Sequence, residues 1–331
     1  MATITEKSEL LFLYESKYSI PNGDPFTGEQ RYDEETKKIL VSDVRIKRFI
    51  RDYFVQLIES GAKPDWDVYV INSDKITQKA DESGSSVRIN ALASKEKYKD
   101  FKDVLTANKN KRQEEKALQL IKQCIDVRLF GGISTKEGAA VNLTGPVQFA
   151  LLNPSLNSVD LRIHQNTSVF SSSAEKSRGA IGTTTVVPFA LCQIHGWINP
   201  FSAKLSGLTD DDVLEMLKAL WNSVNNANTR SKSNQSSLLL LQIVYANPTD
   251  KLYGIDRFVQ LSEKNADGSL RKRDEELRDL DDCPFDFSRL VNALESTKVS
   301  EIRYYTEVPE IQTQLAAIGG KLRPLALFDM V

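Results

Sequence analysis

Glu9-Leu-Leu-Phe-Leu-Tyr-Glu-Ser-Lys-Tyr18 runs almost directly into Pro21-Asn-Gly-Asp-Pro25. The first stretch has the length and apolar, aromatic content of a buried strand, and the second is a dense turn signal that ends it. A polar stretch, Thr27 to Lys38, leads to a helix beginning near Ser42 and running to about Glu59. Ser42 can accept a hydrogen bond from the free amides of the first turn, and Gly61 with Pro64 stops the element. Trp66 to Ile71 then alternates like a strand. Strand, long loop, helix, strand is the opening of a ferredoxin-like or RRM-type βαββαβ fold.

Beyond that opening, Asn72 to Lys116 is polar and lysine-rich, with a Ser/Gly loop at Ser83 to Ser86, and reads as an insertion rather than a second domain. In its continuation, Gln113 to Asp126, the residues Ala117, Leu118, Ile121 and Ile125 recur at helical spacing and predict a helix packed back on the core. Gly131-Gly132 marks a tight turn before strand-like Pro146 to Leu152 and Val159 to Ile163. Gln165 to Thr185 is rich in serine and threonine and lacks amphipathic period, which predicts a long exposed loop or hairpin. Val186 to Trp197 returns to a buried strand. Thr209 to Val224 is the clearest helix: Thr209 and Asp212 make a capping pair, acids crowd the positive first turn, and Val213, Leu217, Leu220, Trp221 and Val224 line one face. A serine-rich link, Arg230 to Ser237, precedes the apolar strand Leu238 to Tyr245. Glu263 to Asp282 carries 5 basic and 8 acidic side chains and reads as a solvated surface segment. The expectation is one α+β domain over residues 1–331.

The chain has 331 residues, 40% hydrophobic and 27% charged, as in a soluble globular protein. A net charge of -2 and a pI near 5.9 give no global attraction to nucleic acid, so any such site must be a local basic surface. Cys124, Cys192 and Cys283 form no CxxC pair and read as buried apolar residues. With only His164 and His195 present, a histidine-rich metal site is excluded. The apolar run Leu10 to Leu13 is too short for a signal-peptide core or a membrane span, so cytoplasmic residence is expected, with no membrane contact. Walker A, GxSxG, HExxH and the aromatic RRM signature are absent, which argues against a bound cofactor and against base stacking on the sheet.

Three segments carry candidate chemistry. On the helix after Ser42, Ile46, Ile50, Tyr53 and Leu57 share one side, while Lys47, Arg48 and Arg51 share the other with Arg45 on its flank. Such a stripe can track phosphates. A helix face of this kind is more often merely solvated, but only Asp43 and Asp52 stand near to neutralise it. Arg230 to Ser237 holds two cations, four serines, Asn234 and Gln235 without an acid, donors suited to a sugar–phosphate backbone. In Gln165 to Thr185, Val169, Phe170 and Ile181 either wedge into a base stack, contact a neighbouring subunit or fold back on the core, and Gly179 and Gly182 are read as freeing the turn. Asn22-Gly23-Asp24 is first a turn. Asp24, Asp33, Glu34 and Glu35 could serve a metal-dependent nuclease, but no histidine or lysine stands at recognisable spacing beside them.

These segments, in this order, resemble the backbone subunit of type I CRISPR interference complexes (Cascade), the Cas seven family, in its type I-B branch. The matching pieces are Asn22-Gly-Asp-Pro25, Ser42-Asp-Val-Arg-Ile-Lys-Arg-Phe-Ile-Arg51, Asp126-Val-Arg-Leu-Phe-Gly-Gly132 and Leu143-Thr-Gly-Pro-Val-Gln-Phe149. Thr167-Ser-Val-Phe170, His195-Gly196, Ala219-Leu-Trp221 and Thr229-Arg-Ser-Lys232 continue the match to about Tyr245, and the C-terminal quarter adds little. The resemblance implies an RRM-like palm, a helical fingers insertion near 72–116 and a thumb hairpin near 164–185. It implies copies stacked head to tail on a CRISPR RNA, a heterologous and non-closing array, without catalysis and without a cofactor or metal. Target DNA would be read by pairing with the guide. Other partners would be the guide-handle-binding, guide-processing and large subunits. The RNA contacts expected are Asn22, Arg45, Lys47, Arg48, Arg51, Arg178, Arg230, Lys232, Ser233 and Gln235, with Val169, Phe170 and Ile181 as the thumb wedge. Asn234 departs from the glycine that close backbone approach would favour. The competing expectation is a type III-like subunit that cuts target RNA through Asp33.

Overall fold

The computed structural model describes residues 2–71, 84–105, 111–167 and 181–328. In chain order its elements are β1 (Ser8–Ser19), β2 (Tyr32–Asp33), β3 (Lys38–Ser42), α1 (Asp43–Glu59), α2 (Ser85–Ala93), α3 (Lys111–Ile121), α4 (Ile125–Phe130), β4 (Gly131–Ser134), β5 (Val141–Thr144), β6 (Val147–Phe149) and β7 (Leu152–Pro154). They continue with β8 (Arg162–Thr167), β9 (Ile181–Ile198), α5 (Pro200–Ser206), α6 (Asp210–Asn225), β10 (Gln235–Tyr245), β11 (Gln260–Leu261), β12 (Phe285–Asp286), α7 (Ser288–Leu294), β13 (Val299–Tyr305), α8 (Pro309–Leu315) and β14 (Leu322–Pro324).

Successive side chains of a strand point to opposite faces, so a strand apolar at every position must be covered twice. β1 is such a strand: Leu10, Phe12 and Tyr14 face one way, Leu11 and Leu13 the other, and all five are buried. It lies at the centre of a sheet ordered β14-β13-β10-β1-β9-β6. Every pair is antiparallel except β13 with β14. On one face α1 and α6 cover the sheet, with Ile46, Phe54, Leu217 and Trp221 against Phe12 and Tyr14. Thr209 and Asp212 close both halves of the capping box on α6. On the other face the C-terminal quarter lays Ile255, Leu277, Phe287, Leu290 and Leu315 over Leu11, Leu13, Phe189 and Leu241. That cover buries the sheet surface on which bases would otherwise stack. The three cysteines are free and buried, and burial pushes the Cys192 and Cys283 thiols up to about 12.

Four expectations are corrected. Trp66 to Ile71 is not a strand; Asp67, Val68 and Tyr69 are buried in a row without alternation, and the place beside β9 belongs to β6. The helix expected over Gln113 to Asp126 breaks at Gln123-Cys124 into α3 and α4. Ala117, Leu120 and Ile121 of α3 join Ile89 and Leu92 of α2, Tyr69, Val127 and Leu143 in a small core of their own, while Ile125 enters the main one. Glu263 to Asp282 is not merely solvated: Leu277 is fully buried under the sheet, and Asp279 binds Lys17. Gly182 lies within β9 opposite Asn166, in the ladder rather than at the turn.

Two of the quoted motifs meet where the chain crosses itself. A side chain on Gly131, at φ +82°, would begin 2.1 Å from the Leu143 carbonyl oxygen, and one on Gly145 would begin 2.1 Å from the Phe130 carbonyl carbon. Only glycine fits either position. The crossing sets the end of α4, and with it Asp126, against α1.

Candidate nucleic-acid interface

The turn after β1 and the start of α1 are tied by one side chain. Asn22 is 5% exposed, and its Oδ1 accepts from the Ser42 amide at 2.7 Å and the Ser42 hydroxyl at 2.8 Å. Its own amide N–H donates to Gln30 Oε1 at 2.9 Å. Ser42 Oγ in turn accepts from the Arg45 amide at 3.3 Å. Asn22 therefore faces inward and positions the helix, rather than presenting its amide to a ligand.

The four cations of α1 have different surroundings. Lys47 lies 3.1 Å from Asp43, donates to Gln148 Oε1 at 3.1 Å and has a side chain only 13% exposed. Arg48 pairs with Asp52 at 2.7 Å in the open. Arg51 is drawn inward to Asp126, 2.9 Å away and fully buried. The Asp126 carboxylate also accepts the amides of Tyr69 at 2.6 Å and Val70 at 3.0 Å. The shared face of Lys47, Arg48 and Arg51 is thus neutralised by Asp43, Asp52 and an acid 75 residues downstream. Arg45 alone among the four has no acid within ion-pair distance among the described residues. Its guanidinium lies 3.8 Å from the Phe49 ring centroid, its Nε is buried without a partner, and burial holds its pKa below the usual arginine range.

The serine-rich loop closes on the same spot. The Lys17 amide donates to the Asn234 carbonyl at 2.9 Å, and the Ile20 amide to the Ser231 carbonyl at 2.7 Å. Asn234 takes φ +59°, a left-handed conformation that asparagine tolerates better than most residues, so its departure from glycine is accommodated. Lys232 Nζ donates to the Ile20 carbonyl and to Ser231 Oγ, each at 3.2 Å, and meets no carboxylate among the described residues. Burial, and then the neighbouring charge of Arg45, push its pKa down to about 8. Gln235 is buried; its Nε2 donates to the Lys232 carbonyl at 2.9 Å and its Oε1 has no partner. Ser233 is partly buried beside them, and Arg230 stands exposed, without an ion pair among the described residues.

Two partly buried cations with no counter-charge are a costly arrangement that an anion relieves. Arg45 and Lys232 lie near enough for the charge of one to bear on the other, with Ser231 Oγ bonded to Lys232. The expected set is therefore brought together only in part. Arg45 and Lys232 come together, Gln235 is bonded to the Lys232 carbonyl, Ser233 and exposed Arg230 flank Lys232 in the chain, and Lys47, Arg48 and Arg51 lie along a helix face already charge-balanced. Asp126 was missed as a partner; the one trace of it in the chain is its place at the head of the Asp126 to Gly132 motif.

β8 and β9 form a hairpin in register from Arg162 with Val186 to Thr167 with Ile181, and Ile163 on it is 74% exposed. Val169, Phe170, Arg178 and Gly179 lie outside the described residues; Ile181 opens β9. The Asp33 oxygens accept from Thr36 Oγ at 2.6 Å and the Glu35 amide at 3.2 Å, and these bonds lower its pKa. Asp24 binds Arg31 at 3.1 Å. Among the described residues no three histidine, cysteine or acidic side chains converge as metal ligands, and no helix is long and apolar enough to cross a membrane.

Residues 6–288 match the family model of the CRISPR-associated protein Cas7. A CRISPR-associated protein Cas7 from Haloferax volcanii is 26% identical over 314 residues, covering 88% of this chain and 84% of that protein. Among solved structures, a chain of a CRISPR RNA-guided surveillance complex in a pre-nicking state superposes with a TM-score of 0.53 at 14% identity, over 97% of both chains. A second CRISPR RNA-guided surveillance complex gives 0.51 at 13% identity, over 96% of this chain and 94% of that one. With a family match over most of its length, this chain belongs to the Cas7 family of CRISPR-associated proteins.

Proposed function

We propose that this chain is a non-catalytic, guide-RNA-binding backbone subunit of a type I-B interference complex, cytoplasmic, and repeated along one CRISPR RNA. The observation that carries this reading is the pair Arg45 and Lys232: partly buried, each within electrostatic reach of the other, and unmatched by any described carboxylate. A phosphate supplies what that pair lacks. The family and the fold shared with chains of RNA-guided surveillance complexes point the same way.

The order β10-β1-β9-β6, with α1 and α6 on one face, supports an RRM-like palm in which β1, β6, β9 and β10 are the four strands of a βαββαβ unit. The small core around α2 and α3 then corresponds to the fingers, and the β8–β9 hairpin to the thumb. Val169, Phe170 and Ile181 remain the proposed wedge, and Arg178 a proposed contact near it. Arg230, Ser233 and Gln235 belong to the phosphate pocket, while Asn22 acts through Ser42 and α1. The partners of the reading are CRISPR RNA, target DNA through the guide, further copies of the chain, and the guide-handle-binding, guide-processing and large subunits. The alternative, RNA cleavage through Asp33, gains no support from a carboxylate engaged in its own turn with Thr36.

The test is to co-express the chain with its partner subunits, purify the assembly and sequence the bound RNA. Discrete guide-length RNAs are expected with wild type, and their loss with Arg45→Ala plus Lys232→Ala. Absence of RNA, or the same RNA in the double variant, would overturn the reading. Metal-dependent cutting of target RNA by wild type but not Asp33→Ala would favour the alternative.

A further inference from the structure

Tyr18 stands in a conformation that its residue type resists. Its φ is +47°, in the left-handed region, where a bulky aromatic residue is a genuine outlier. If β1 ran on regularly, Tyr18 would follow Phe12, Tyr14 and Ser16 toward the helices. The left-handed turn breaks that alternation, and the side chain is 60% exposed. Its neighbours are fixed. The Ser16 and Ser19 hydroxyls bond across it at 2.5 Å, and Lys17 pairs with Phe189 and Ser19 with Val187, leaving Pro188 opposite with no N–H to offer. On the other edge the chain is held at Lys17 by Asn234 and at Ile20 by Ser231. The Ile20 carbonyl, two residues from Tyr18, accepts from Lys232 Nζ. Tyr18 is therefore a rigidly mounted, outward aromatic ring beside the pocket of unmatched cations. Glycine would sit there without strain. Strain held next to a binding pocket is a pointer to use.

We propose that Tyr18 is a stacking platform for one base of the single-stranded nucleic acid whose phosphate Arg45 and Lys232 hold. This rests on the binding reading above and adds to it a residue that touches a base. Stacking on an aromatic side chain is indifferent to base identity, as a chain carrying guides of any sequence requires.

The experiment compares the full chain, wild type and variants, by anisotropy of a labelled single-stranded RNA and of the same strand with abasic residues. Tyr18→Gly and Tyr18→Asn, both at ease with positive φ, should keep or raise the melting temperature. They should weaken binding to the intact strand by on the order of tenfold, the contribution of one stacked base, and leave binding to the abasic strand unchanged. Tyr18→Trp should retain wild-type affinity. Equal loss on both strands would overturn stacking in favour of a merely structural role. Unchanged affinity in Tyr18→Gly, with loss in Arg45→Ala plus Lys232→Ala, would overturn this inference alone. Unchanged affinity in both would overturn the RNA-binding reading with it.

Discussion

Arg45 and Arg51 lie on the same helix, and the protein treats them in opposite ways. Arg51 reaches a fully buried carboxylate that also fastens two backbone amides, so its charge is part of the fold. Arg45 lies on the Phe49 ring beside another cation, with its Nε unmatched. A helical wheel counts both as positive charge. What distinguishes them is what arrives from elsewhere in the chain: Asp126 at one and Lys232 at the other. Cationic density on a helix thus does not separate a structural charge from an unmatched one, whereas the presence or absence of a nearby acid does.

The sharpest test of this contrast is Asp126→Ala. It strands Arg51 and releases the amides of Tyr69 and Val70, and breaking a buried pair of this kind costs about 3–5 kcal/mol. Chemical denaturation should show that loss, while Arg45→Ala should leave stability nearly unchanged or raise it, since a partly buried unmatched cation is removed. A loss for Arg45→Ala equal to that for Asp126→Ala would erase the distinction.

RNA affinity should divide in the reverse sense. Arg45→Ala with Lys232→Ala should lower affinity by on the order of a hundredfold at moderate salt and reduce the salt slope by about 1.4, because two phosphate contacts on a single strand are lost. A full slope in the double variant would move the contact elsewhere.

Lys232 offers a third, pH-dependent test. Its pKa in the free protein is about 8, and a bound phosphate raises it. Below pH 8 the group is charged in both states and affinity is flat. As pH rises above 8 the free protein loses the proton while the complex keeps it, so affinity falls by at most about tenfold per unit. Lys232→Arg stays charged and should remove the dependence. A flat wild-type profile from pH 7 to 9.5 would show that Lys232 does not meet the anion.

The first strand, its turn, α1, the hairpin segment and α6 were legible because each is local: apolar alternation, turn residues and caps act within a few positions. The place of β6 was not legible, because Val147–Phe149 is three residues long and pairs with β9 far along the chain. Trp66 to Ile71 misled for the complementary reason. Val68 and Tyr69 are buried beside Asp67 and Asp126 rather than on a sheet, and nothing local distinguishes these cases. At the site, the residue types were readable but their pairing was not. Arg51 carries the same charge as Arg45, and only tertiary structure brings Asp126 to one and Lys232 to the other. Asn22 shows a further limit: a turn residue and a ligand contact look alike until its Oδ1 is seen capping Ser42.

Arg48 is where the smallest effect is expected, and it probes the contrast from its middle. Its side chain is 43% exposed and pairs with Asp52, itself 48% exposed, at 2.7 Å across one helical turn. A solvated pair of this spacing contributes only about 0.3–0.5 kcal/mol, so Arg48→Ala should barely move the denaturation midpoint. The pair is charge-balanced, so RNA affinity should change less than about threefold and the salt slope by less than one contact. Asp52→Ala is the informative companion. It frees Arg48 without removing it, and if unmatched charge is what binds, RNA affinity should rise slightly rather than fall. Should Arg48→Ala instead weaken binding as much as the Arg45 and Lys232 changes, the exposed stripe would be the contact and an existing acid partner would be no bar to phosphate binding on this helix.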